Sequence, residues 1–164
     1  MKETSKKIIF SCIVIIVSII TFYLITSTIY INLTSYSRGL VHWHADIEII
    51  ICGEEVKLKE AESVFSNKVG TSEVHHHEDM RIHVEGVVNS REEATLGYFF
   101  DSIGEEFSST SILGYENGDV CSNTGLPGIV KMFVNDIPNY EFDNHEITHY
   151  ARVPPGDKIK IIFN

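Results

Sequence analysis

From residue 8 to residue 31 the chain carries no charged side chain and is dominated by isoleucine. A run of about 20 apolar residues is long enough to cross a bilayer, where every backbone polar group must find an internal partner. The segment is therefore expected to be a transmembrane helix that contacts the lipid bilayer. Lys2, Lys6 and Lys7 precede it and only Arg38 follows closely, so the positive-inside rule places the N-terminus in the cytoplasm. The expected order is a cytoplasmic tail (residues 1–7), a transmembrane signal anchor (8–31), a polar tether (32–40) and an extracytoplasmic domain (41–164) in a single-pass cell-membrane protein. A cleaved signal peptide is the other reading. Its apolar core is usually only about 7–15 residues and is followed by an A-x-A-like site, which is missing here.

Residues 1–31 hold three lysines and one glutamate, which leaves 10 basic and 22 acidic side chains, a net −12, for residues 32–164. Such a domain repels nucleic acid and anionic lipid headgroups, and favours cations or a basic protein partner. Asn32-Leu33-Thr34 fits the N-glycosylation pattern. Cys12 lies in the apolar run, so Cys52 and Cys121 are the only cysteines beyond it. In an oxidising compartment an even pair favours a disulfide over two buried thiols. No C-x-x-C occurs, nor a G-x-S-x-G or P-loop motif.

The stretch VHWHADIEIIICG (residues 41–53) alternates polar and apolar residues. Strand side chains alternate faces, so Trp43, Ala45, Ile47 and Ile49 belong to a core while His42, His44, Asp46 and Glu48 share the opposite face. A turn at residues 52–55 and a return over 56–58 make a hairpin. Residues 59–73 read as loop or weak helix, and residues 81–85 as a second strand. In residues 92–104, Leu96, Phe99, Phe100 and Ile103 fall on one face of a helix that ends at Gly104. Residues 129–134, a turn over 135–139, a return over 140–142 and a last strand over 158–163 follow. A hairpin, one helix and further strands suggest an α+β fold, a β-grasp-like mixed sheet with one packed helix. An all-β barrel interrupted by a helix is the alternative.

In EVHHHEDMRIHVEG (residues 73–86), His75, His77, Asp79, Arg81, His83 and Glu85 share one parity. If this segment neighbours the first strand, His42, His44, His77 and His83 converge, with His75 close by. Imidazole nitrogen is a common ligand for copper and zinc, and histidines at i and i+2 on a strand reach the same side. Asp46, Glu48, Asp79 and Glu85 are placed to accept ring N–H groups and orient such ligands. Five of the eight histidines fall in these two windows with matching parity. His145 and His149, four apart, read as structural. His42, His44 and Glu48 also fit the H-x-H-x-x-x-E motif of cupins, but the flanking glycine is missing and a helix interrupts the strands.

The stretches HWHADIEIIICGEEVKL, HHHEDMRIHVEG, TLGYFFDSIG, NGDVCSNTGLPGIVKMFVN and GDKIKIIF resemble, in that order, a largely uncharacterised family of small, mostly archaeal, membrane-anchored extracytoplasmic proteins. The resemblance covers nearly all of residues 41–164. It implies a paired Cys52 and Cys121 and recurring histidines at 42, 44, 75, 77 and 83. The chain departs from the pattern at Glu85, where relatives often carry another histidine, and at Glu78 and Met80, where they often carry glycine. The expected function is copper or zinc binding outside the membrane, as a storage, delivery or accessory module. The other readings are an acidic cell-surface interaction module or accessory subunit, and a metal-dependent enzyme.

Overall fold

The computed structural model describes residues 3–61, 66–147 and 156–164. Lys2 and His149 lie outside the described residues, as does the turn that precedes the last strand at Pro154-Pro155 in the sequence. Helix α1 (Glu3–Thr34) is long and apolar enough to cross a membrane, and none of its apolar window is buried against the rest of the chain. It runs into the expected tether: Asn32 lies in its last turn, where its side-chain amide donates to the Thr28 carbonyl at 2.8 Å. The remaining tether is docked. The Tyr36 and Ser37 amides donate to the Asn89 and Val88 carbonyls at 3.2 and 3.1 Å, and the Tyr36 hydroxyl bonds the Glu146 carboxylate.

Strand β1 (Leu40–Ile51) follows its alternation. Trp43, Ala45, Ile47, Ile49 and Ile51 are buried, while His42 and Glu48 are exposed and His44 and Asp46 lie between. A two-residue turn, with Cys52 and Gly53 both left-handed, returns the chain as β2 (Glu54–Val56), two residues earlier than the sequence suggests. Then come β3 (Val69–Gly70), β4 (Val74–His76) and β5 (Arg81–Val87). One edge of β1 pairs first with β5 and then with β2, both antiparallel.

The helix expected over residues 92–104 is interrupted once, ahead of its apolar stripe. Residues Glu92–Ala94 form a 3-10 turn, Thr95 is extended, and helix α2 spans Leu96–Ile103. The break has a tertiary cause. The Leu96 amide donates to the His145 carbonyl at 2.9 Å, and the Ile147 amide donates to the Ala94 carbonyl at 2.8 Å, so residues 145–147 take these backbone groups from the helix. The Thr95 hydroxyl then caps α2 by accepting from the Tyr98 amide. Gly104, left-handed at φ 75°, ends it. Leu96, Phe99, Phe100 and Ile103 are all buried, as their spacing requires.

A short hairpin, β6 (Ser111–Ile112) with β7 (Tyr115–Glu116), precedes β8 (Val130–Val134), β9 (Ile137–Asn139) and β10 (Asp157–Phe163). The return to β9 corrects the expected one over residues 140–142. Asn135 and Asp136, left-handed at φ 52° and 65°, close the turn in two residues. Residues Phe142–Asn144 form a 3-10 turn instead.

The main sheet runs β3-β4-β5-β1-β10-β8-β9, with β10 parallel to β1 and the other pairings antiparallel. First and last long strands side by side at the centre, hairpins on both flanks and one helix across the apolar face make the β-grasp arrangement, an α+β fold. One core gathers β1, β5, β10 and α2. The Cys52–Cys121 disulfide, Cα–Cα 5.4 Å, ties the β1–β2 turn to the loop after β7. The polar face of β1 is left clear of α2.

Candidate metal centre

The register across three strands sets this face. His44 stands opposite His83 in the β1–β5 pair, and His83 stands opposite His75 in the β4–β5 pair. Neighbouring strands are about 4.8 Å apart, so three imidazoles line up in a row. Ring centroids are 4.6 Å apart for His44 and His83, and 5.3 Å for His75 and His83, whose planes differ by only 5°. His42, two residues before His44, lies 4.5 Å from His44 and 6.2 Å from His83. His77 leaves β4 at the turn and packs edge-on to both His75 and His83, at 4.8 and 4.9 Å.

That turn explains a difference from the single-parity reading of residues 73–86. The segment is a hairpin, and His75 shares a face with His83 because the two strands pair. Glu78 and Met80 sit in the turn at φ 56° and 52°, the left-handed conformation that glycine adopts most readily. Gly70, at φ 121°, is required on the other side of β4. A Cβ there would stand 2.5 Å from the Val74 carbonyl oxygen and 3.0 Å from the His75 Cα. This close approach of β3 helps to bury His75.

His83 joins two sets of donors. In His42, His44 and His83, and again in His75, His77 and His83, one donor atom from each residue lies within 4.8 Å of the others. Metal–nitrogen bonds of about 2.0–2.1 Å would bring such atoms to roughly 3.4 Å apart, within reach of small ring rotations. Three imidazoles leave a fourth position open for another ligand.

Burial favours the neutral form of three of these rings, His44, His75 and His83. His75 is wholly buried and its pKa is pushed down to about 4, first by burial and then by the Lys68 charge. Burial is also the largest cause of the lowered pKa of His83 and of His44. At neutral pH such rings offer lone pairs without competition from protons. Both nitrogens of His75, both of His83 and Nδ1 of His44 are buried without a hydrogen-bond partner among the described residues.

Carboxylates flank the cluster on two sides. Glu85 pairs through Oε1 with His42 Nε2 at 3.1 Å and through Oε2 with Lys68 Nζ at 3.3 Å, and its Oε1 lies 3.8 Å from His83 Nδ1. Burial alone would raise the Glu85 pKa, but the Lys68 hydrogen bond and charge, with His75 and His42, hold it low. Asp79 lies 3.6 Å from His83 Nε2, and its other oxygen accepts the His77 and Arg81 amides. Those backbone bonds outweigh burial and lower its pKa. The His83 contacts are longer than hydrogen bonds, and burial prevails over them at that ring.

Asp46 and Glu48 are engaged elsewhere. The rise of β1 carries Asp46 to a 2.7 Å ion pair with Arg81, and Glu48 to one of 3.1 Å with Lys160 on β10. His76 turns to the opposite face, buried and 6.1 Å from the Phe99 ring. His145 is buried beside Glu141, away from this cluster. Lys68, which holds Glu85, carries no signal in the sequence because it precedes a strand of only two residues. No protein-family model, no curated protein and no solved structure matches this chain.

Proposed function

We propose that this chain is a membrane-anchored, extracytoplasmic metal-binding protein that holds copper or zinc as a storage, delivery or accessory module. The observation that carries the reading is the convergence of four imidazoles on that of His83, three of the five kept neutral by burial. An all-imidazole donor set suits copper and zinc better than magnesium or calcium, which take oxygen ligands. The acidic domain attracts cations, and the Cys52–Cys121 disulfide supports a location outside the cytoplasm. The lysines ahead of the apolar run, Lys2, Lys6 and Lys7, favour an N-terminus in the cytoplasm. An open fourth position on each three-histidine set suits hand-over to a partner better than permanent structural use. His42 lies only a few residues beyond Thr34, the end of α1, so hand-over would take place near the membrane surface.

The test is titration of the full-length, untagged protein in detergent with Cu²⁺ and with Zn²⁺. Submicromolar affinity that falls at least tenfold when His42, His44 and His83 are changed to alanine is the expected result. Affinity weaker than micromolar, or no change in the variant, overturns it.

A further inference from the structure

The two three-histidine sets share one residue. A neutral imidazole has one lone pair available and one N–H, so His83 in that state serves only one set. The other set would keep two donors. The immediate surroundings of the His83 ring bear on which arrangement is built here.

His83 presents its two nitrogens to different sides. Nδ1 faces Glu85 Oε1, the same oxygen that pairs with His42 Nε2, so it looks toward the first set. Nε2 faces Asp79 Oδ2, whose carboxylate holds the His77 amide through its other oxygen, so it looks toward the second. When a histidine binds one metal ion, its other ring nitrogen almost always donates to a carboxylate, carbonyl or water. At His83 both nitrogens are buried, and the two carboxylates stand 3.6 and 3.8 Å away, beyond hydrogen-bond reach. A single ion at either nitrogen would leave a buried N–H at the other without a protein partner, which is a costly arrangement.

The geometry points to two metal ions bridged by the His83 ring: one bound by His42, His44 and His83 Nδ1, the other by His75, His77 and His83 Nε2. This rests on the metal-binding reading above and adds the number of ions and the role of His83. Binding of the second ion displaces the remaining ring proton to solvent, and the ring becomes an imidazolate carrying one negative charge. Two divalent ions then face that charge together with two carboxylates: Asp79, beside His83 Nε2, and Glu85, whose Oε1 pairs with His42 Nε2 while its Oε2 lies 3.9 Å from His75 Nε2 and 3.3 Å from Lys68 Nζ.

The full-length protein in detergent is titrated with Cu²⁺ while bound copper is measured by equilibrium dialysis and by electron paramagnetic resonance. The expected result is two copper ions per chain. The resonance signal grows through the first equivalent and is largely lost on the second, because two Cu²⁺ ions joined by an imidazolate couple their spins. His42→Ala with His44→Ala, at positions on the open side of the sheet, should bind a single ion and keep its full signal. One ion per wild-type chain, or two with undiminished signal, overturns the bridge and leaves the metal-binding reading standing. No copper bound at micromolar concentrations overturns both.

Discussion

His75 and His83 stand opposite one another in the β4–β5 register, with ring centroids 5.3 Å apart and planes 5° from parallel. A buried imidazole stacked on a largely buried one tolerates charge poorly. This pair therefore governs both how the apoprotein responds to acid and how readily the site accepts a cation.

Acid should destabilise the metal-free protein in the pH range where metals are also released. The His75 pKa is pushed down to about 4 in the folded chain, against a value near 6.5 when unfolded. Between these values the unfolded chain binds more protons, so stability is complete above about pH 6.5 and falls as pH drops toward 4. His75 alone accounts for a loss on the order of 3 kcal/mol by pH 4, and the lowered His44, His76 and His83 act in the same direction. Urea unfolding in EDTA at pH 7.5 and 4.5 reads this directly, and His75→Leu should flatten the dependence. An unchanged midpoint would count against it.

Reduction of the disulfide should weaken the fold. Cys52 and Cys121 are 69 residues apart in sequence, and the chain-entropy model assigns a loop of this length about 4 kcal/mol. Denaturant midpoints of oxidised protein and of Cys52→Ser with Cys121→Ser measure the difference. A loss under about 1 kcal/mol would mean that the open-chain ensemble is already compact.

Gly70→Ala should cost about 2 kcal/mol, since both the left-handed backbone and the blocked Cβ position oppose it. The obstructing atoms are backbone, the Val74 oxygen at 2.5 Å and the His75 Cα at 3.0 Å, so no side-chain rotation relieves the clash. Thermal unfolding checks this. A neutral result would show that β3 can move away from β4 freely.

The turn after β4 should respond differently at its two left-handed positions. Glu78→Gly removes a backbone cost at an exposed position, losing only the bond its side chain accepts from the Ala61 amide at 3.3 Å, and should raise stability by about 0.5–1 kcal/mol. Met80→Gly removes the same cost but also a side chain packed on the core, whose sulfur accepts the Leu58 amide at 3.5 Å. That variant should be no more stable than the parent. Equal gains at both positions, seen in unfolding midpoints, would contradict the packing assigned to Met80.

Local periodicity was readable without any structure. The apolar run of α1, the period of two in β1 and the i, i+3, i+4, i+7 stripe of α2 are properties of neighbouring residues, and each decides which side chains share a face. They placed Trp43, Ala45, Ile47 and Ile49 in the core and left His42 and His44 on the other side. Only the tertiary structure decided what those histidines meet. Strand register is a long-range choice: Ala45 pairs with Asp157, and His44 meets His75 through His83, by contacts that no local pattern encodes. The same holds where an element starts. The helix starts only after Thr95 because residues 145–147 claim the backbone groups of Ala94 and Leu96, and Asp46 and Glu48 leave the cluster because Arg81 and Lys160 lie opposite them. The sequence by itself determined which residues could form a metal site, through alternation and composition. The fold determined which of them do come together, because convergence depends on pairing between strands far apart in the chain.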